Sequence, residues 1–184
     1  MRSPISIKEG AKMADHKNPG TQVEGAEITE SLPEMNAMIE QMVLLKKVPL
    51  FSQLGISELS LIAKISSEEF FPDETILIKE GTHNHNLYII MQGFVELSAH
   101  LSEDQEGSLG IQTEPSCLGE DSIFTGDPSP VCAQIIMGKA RILTIAGEDL
   151  KRLIRLYPEI GIGLLASTSS RLQKLQRMMI KMEQ

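Results

Sequence analysis

A mainly β domain with helices at both ends, its strands forming an antiparallel sandwich or roll, is the fold class this sequence predicts. Three observations carry that expectation. Short β-prone runs follow one another between residues 75 and 147, broken by Gly, Pro, Asn and Asp. Helical spacing is nearly absent from that stretch, which argues against βαβ units. On either side of it the apolar residues return to helical spacing.

The elements follow in order. Residues 1–30, which include "KEGAKMADHKNPGTQVEGAE", are polar and aperiodic and read as a disordered tail. "SLPE" from Ser31 supplies a cap, an early proline and Glu34, so a first helix is predicted over 31–47, ending before Pro49. A second short helix is expected in "SELSLIAKI", with Ser57 as cap and Leu59, Ile62 and Ala63 on one face. The β-prone runs are "TILIKEG", "NLYIIMQGFVELSAH", "SLGIQTEPSCLG", "PVCAQIIM" and "ARILTIAG", with Gly81, Gly93, Gly107, Gly119 and Gly138 at or near the breaks. "GEDLKRLIRLYPEI" then predicts a short helix meeting Pro158, and "GLLASTSSRLQKLQRMMIKM" a long one.

In the long helix Leu165, Leu172 and Met179 recur every seven residues, and Thr168, Leu175 and Met182 form the companion line. The stripe has two readings. It packs on its own subunit, or it pairs with its counterpart across a two-fold axis. A helix of roughly 25 residues is about 38 Å long and should overhang a compact roll, which favours a homodimer. Arg171, Lys174, Arg177 and Lys181 read as the solvated flank of that seam.

The totals set limits. The chain of 184 residues is 41% hydrophobic, enough for one domain with a real core. No apolar run is long enough to cross a bilayer and no signal-peptide stretch opens the chain, so no membrane partner and a cytoplasmic location are expected. A formal charge of −8 disfavours general nucleic-acid binding. Cys117 and Cys132 are too few for a zinc knuckle or disulfide scaffold and read as reduced packing residues.

The order of "VPLFSQLGISELSLIAKI", "FFPDETILIKEG", "LYIIMQG", "GE" and the terminal helices resembles the cyclic-nucleotide-binding domain family, which includes the bacterial catabolite-activator type of regulator. The resemblance covers about Val48 to about Met182, within a domain set at residues 48–184, and implies an antiparallel jelly-roll β-barrel followed by a short and a long helix. In that family a "GE" pair opens a phosphate-binding cassette. The glutamate takes the ribose hydroxyl, and the amides of a short helix face the cyclic phosphate. By position Gly119 and Glu120 take the first two roles, with Asp121 and Ser122 beside them.

The cassette's arginine should follow about nine or ten residues after the glutamate, a spacing the resemblance supplies. A gap-free count places it on Ser129 or Pro130, with Val131 beside it, and neither position carries a cation. A bidentate Arg–phosphate contact contributes up to about 3 kcal/mol, so its loss weakens binding roughly a hundredfold. Counting on from Pro158, Leu175 and Gln176 occupy the long-helix positions that meet the purine in the activator pattern. The frame of a ligand pocket is therefore expected, without its usual cation.

Other chemistry is weaker. "HNH" at residues 83–85 lacks the glutamate and third histidine of a metal-binding cupin, because Ile89 and Ile90 stand where that glutamate belongs. No nucleophile–base pair, Walker lysine or G-x-S-x-G turn occurs. No catalytic residue, metal or cofactor is assigned. The activator type carries its DNA-reading part after the long helix, where this sequence reaches Gln184, so no direct DNA binding is expected. Taken together, these readings predict a non-enzymatic regulatory or interaction module, unable to hold cAMP or cGMP in the usual way. It would act by dimerisation and contact with a protein partner the sequence does not name. The alternative is a sensor for a cyclic nucleotide, cyclic dinucleotide or other small molecule held by non-standard contacts.

Overall fold

The computed structural model describes residues 32–102 and 105–182. The expected tail, residues 1–30, lies outside the described residues, as do the side chains of Leu175 and Met182.

Helix α1 spans Leu32–Lys47, with Glu34 in its first turn and Lys46 and Lys47 in its last, the charge order the helix dipole favours. Pro49 opens a 3₁₀ turn, Pro49–Phe51, that buries Leu50 and Phe51. Helix α2 spans Ile56–Lys64 and is capped by Gly55, not by Ser57 as expected. The Gly55 carbonyl already accepts the Leu59 N–H at 3.1 Å, so the helix starts early enough to place Ser57 inside its first turn.

Six strands follow: β1 (Ser66–Phe71), β2 (Ile76–Ile78), β3 (Asn86–Ser102), β4 (Gln105–Gln112), β5 (Ser116–Leu118) and β6 (Cys132–Ala146). The runs "PVCAQIIM" and "ARILTIAG", read as separate strands, are one strand, β6, which passes through Met137 and Gly138 at positive φ. Conversely "SLGIQTEPSCLG" divides into β4 and β5, interrupted by the Glu114–Pro115 segment. Strand β1, "SSEEFF", has little hydrophobic signal and was not expected.

The expectation of a closed, predominantly β barrel is overturned. The sheet has the open order β1–β6–β3–β4, with β2 added to β6 and β5 to β3. Edges β1 and β4 each pair with one strand only, and β2 and β5, at three residues each, add no closing ladder. Helices hold more of the described residues than strands do, because α1 and the final helix are 16 and 25 residues long. The architecture is a mixed α/β domain with flanking helices.

Where residues 87–90 of β3 pair with β6 around residues 142–145 both faces are covered, and the strands' period of two sorts the core. Leu87, Ile89, Leu143 and Ile145 point to one cluster with Phe51, Ile62, Leu150 and Ile160 from the helical elements. Tyr88, Ile90, Ala140 and Ile142 point to the other, with Leu77, Ile78 and Leu118. Gly93 lets the two strands close up, since a Cβ there would meet the Ala140 Cα at 2.9 Å. Helix α4 (Gly147–Leu156) follows β6 directly, and Pro158 opens α5 (Pro158–Met182), so "PEI" belongs to the long helix.

Arg141 of β6 ties α1 to the sheet. Its Nε donates to Glu68 at 2.6 Å and its Nη1 to Glu40 at 2.8 Å. The guanidinium holds the Glu40 carboxyl below its ordinary value of 4.5, through the hydrogen bond first and charge second. Because the folded value is the lower one, the stability from Glu40 is full above pH 4.5 and fades as pH falls through the folded value. Arg141→Met should lower the unfolding free energy at pH 7 by about 1 kcal/mol, discounted because Glu40 is half exposed. In urea titrations the deficit should shrink as the pH drops below 4.5.

Candidate functional site

Strand β5 delivers the chain into Gly119, whose φ of +93° is unfavourable for an L side chain. The place is also crowded. Asn84 Nδ2 donates to the Asn86 carbonyl at 2.6 Å and to the Gly119 carbonyl at 3.3 Å. A Cβ on Gly119 would sit 2.6 Å from the Asn86 oxygen. Helix α3 (Glu120–Thr125) starts at once and stops at Gly126, whose N–H donates to the Ser122 carbonyl at 3.0 Å.

The returning loop is pinned to the turn before β3. Gly81 N–H donates to the Ser129 carbonyl at 2.8 Å, and Ser129 N–H to the Thr82 carbonyl at 2.9 Å. Ser129 is buried and spends its hydroxyl locally, donating to the Val131 carbonyl at 2.9 Å while accepting from Val131 N–H at 3.3 Å. Pro130 is exposed.

These pieces enclose a cavity of about 240 Å³, lined by Gly119, Glu120, Asp121, Ser122, Ser129, Pro130 and Val131 from the cassette. Ile78, Leu97, Gln112, Cys117 and Leu118 come from the strands and Arg171 from α5. Seven of the nine pocket residues expected from sequence thus share one wall. Gln176 is exposed and does not line the cavity, and the Leu175 side chain is outside the described ones. The helix contributes Arg171, four residues before Leu175. That residue was missed because the four basic residues of the helix read as a uniform solvated flank.

Arg171 Nη1 lies 3.3 Å from Glu120 Oε1, with the arginine half exposed and the glutamate 19% exposed. Burial raises the Glu120 carboxyl above its ordinary value, the charge of Asp121 adds to the rise, and Arg171 opposes it. Burial likewise pushes the Cys117 thiol well above its usual value, which keeps it protonated. The next basic residues in sequence are engaged elsewhere. Lys139 Nζ sits 5.0 Å from the Phe70 ring centroid, and Arg141 holds Glu40 and Glu68. Arg171 is therefore the one cation lining the cavity among the described residues.

Along α5, Ile160, Leu164 and Ser167 are buried against the domain. The seam residues Leu165, Leu172 and Met179 are open, at 68%, 56% and 64% exposure, while Thr168 Oγ1 donates back to the Leu164 carbonyl at 3.0 Å. Among the described residues no group of three or more His, Cys, Asp or Glu could hold a metal ion, and no helix is long and apolar enough to cross a membrane.

Residues 68–157 match the cyclic nucleotide-binding domain. Over those residues the chain is similar to that family. It is 25% identical over 129 residues to the Anaerobic regulatory protein of Bacillus subtilis, a match covering 70% of this chain and 54% of that protein. The chain therefore spans about half the length of that relative. The fold is shared with the Catabolite Activator Protein of Thermus thermophilus, at a TM-score of 0.62 and 23% identity, covering 73% of this chain and 63% of that one. It is also shared with the regulatory subunit of a cAMP-independent protein kinase A from Trypanosoma cruzi, bound to guanosine, at a TM-score of 0.58 and 19% identity, covering 65% of this chain and 41% of that one.

Gly119→Ala should destabilise the domain by more than the roughly 1–2 kcal/mol of a left-handed backbone alone, because the new methyl also meets the Asn86 carbonyl. Chemical denaturation of the variant beside the parent checks this.

Proposed function

We propose that this domain is a ligand-sensing regulatory module whose ligand sits in the cavity between the α3 cassette and α5. The observation that supports it is the Arg171–Glu120 contact: the long helix touches the cassette through the one cation that lines the cavity among the described residues. A ligand at Glu120 would shift a conformational equilibrium to the extent that it interacts differently with two positions of that helix. This is the alternative reading of the sequence, now better supported than a module acting through contact alone.

The usual mode for cAMP or cGMP is not available to this site. Ser129 and Pro130 stand where the arginine is expected, and Glu120 and Asp121 present carboxylates to any phosphate. A fold relative holds guanosine, which has no phosphate, so occupancy of this fold does not depend on one. The cavity of about 240 Å³ lies just below the roughly 300–1,000 Å³ of typical small-molecule sites, which disfavours a cyclic dinucleotide. Calorimetry against cAMP, cGMP, a cyclic dinucleotide, nucleosides and small polar metabolites tests the reading. Measurable heat from one class is expected; no heat from any would overturn it.

A specific observation favours a second element, homodimerisation through α5. Leu165, Leu172 and Met179 are open on the heptad line, and Met178 and Ile180 add to the exposed apolar surface. An apolar stripe of this length is costly to leave in water. Sedimentation should give twice the formula mass at micromolar concentration, and Leu172→Glu should shift the equilibrium to monomer by placing a charge in the seam. A parent that sediments as a monomer removes this element and leaves the sensor reading intact.

A further inference from the structure

We propose that the cavity takes an uncharged ligand pairing hydroxyl donors with a flat apolar group, chemically a nucleoside without phosphate, and that Arg171 occupies Glu120 until such a ligand arrives. The inference rests on the sensor reading above and specifies its ligand and its coupling.

The wall decides the charge of the occupant. Glu120 and Asp121 both line the cavity, so a phosphate would meet two carboxylates. Its only counter-charge there would be Arg171, which is already paired with Glu120. Moving Arg171 to a phosphate would leave a mostly buried carboxylate unpaired beside a second anion, the arrangement that costs most in a partly dry site. A hydroxyl behaves differently. It donates to Glu120, takes the place of the guanidinium hydrogen bond and brings no charge of its own. The half-exposed Arg171 side chain then turns to water, and Glu120 exchanges a long ion pair for a hydroxyl hydrogen bond with no further anion brought beside it.

The remaining wall defines the rest of the ligand. Ile78, Leu97, Leu118 and Val131 offer an apolar surface. Ser129 has committed its hydroxyl to Val131, so the loop adds no free donor for a phosphate oxygen from that side chain. A sugar against the carboxylates and a flat base against the aliphatic residues satisfies both halves. The exchange at Glu120 also releases α5 at residue 171, within the exposed stretch that follows the buried Ser167. Occupancy is thereby coupled to the helix through a single competing contact.

The test is calorimetry of the full chain with adenosine, guanosine and their 3′,5′-cyclic monophosphates, on the parent, Arg171→Ala and Pro130→Arg, each checked as folded by circular dichroism. The parent should bind a nucleoside more tightly than its cyclic monophosphate by roughly tenfold. Arg171→Ala, by removing the competitor, should tighten nucleoside binding roughly two- to fivefold. Pro130→Arg, by placing a cation at an exposed position on the cavity wall, should shift the preference toward the cyclic monophosphate by roughly tenfold. A parent that prefers the cyclic monophosphate, with affinity lost in Arg171→Ala, overturns the inference and makes Arg171 the phosphate cation; the sensor reading then stands. Unchanged nucleoside affinity in Arg171→Ala overturns the competitor role. Silence from all four compounds, with heat from another class in the wider panel, overturns the ligand class alone. Silence throughout overturns the sensor reading as well.

Discussion

The long antiparallel pairing of β3 with β6 is the constraint from which the other elements take their positions. The two strands run side by side from Asn86↔Ala146 to Ser98↔Cys132, with bulges near Gly93 where the ladder bends. Alternate side chains leave on opposite faces, and both faces are buried. One face is the floor on which the 3₁₀ turn, α2, α4 and the start of α5 pack. The other forms the second cluster, and the cavity opens beside it, sharing Ile78 and Leu118. A shift of one residue in this register would exchange the two faces and separate the cassette from its helix.

The cassette is a small element held by surrounding backbone. α3 has six residues, too few to be stable alone, and lies between two left-handed glycines. Hydrogen bonds from Asn84 and from the Gly81–Thr82 turn hold its two ends, so the positions of Glu120 and Val131 are inherited from β3 and β5. This explains why the cavity keeps its form although Ser129 and Pro130 carry no charge. The frame depends on backbone hydrogen bonds and glycine conformations, and a phosphate-binding side chain is not among its supports.

Electrostatically the domain keeps its cations away from the site. Arg141 is spent on fastening α1 through Glu40 and Glu68, and Lys139 rests over Phe70. Glu120 is thus left as a partly buried acid beside another acid, relieved by one half-exposed guanidinium from a different element. A long, exposed ion pair of this kind is weak. Weakness is what the proposed sensor role asks of this contact, and α5 beyond Ser167 has little else holding it to the domain: among residues 168–182 whose side chains are described, none is buried.

Much of this was legible from residue order alone. Most of the strand runs, the helices broken at Pro49 and Pro158 and the glycines at 93 and 119 depend on local chemistry, so sequence determined them. So did the grouping of Gly119, Glu120, Ser129 and Val131, because they lie within one short stretch. Whether the sheet closes was decided by tertiary pairing, since β2 and β5 are too short to bridge the edges and "SSEEFF" joins β6 only through long-range hydrogen bonds. The identity of the helix residue at the cavity was decided the same way. Glu120 and Arg171 are 51 positions apart, and the pitch and docking of α5 bring that arginine, and not Gln176 a turn later, against the acid. Local spacing carries no information about such a meeting, because it depends on how Ile160, Leu164 and Ser167 seat the helix against the core.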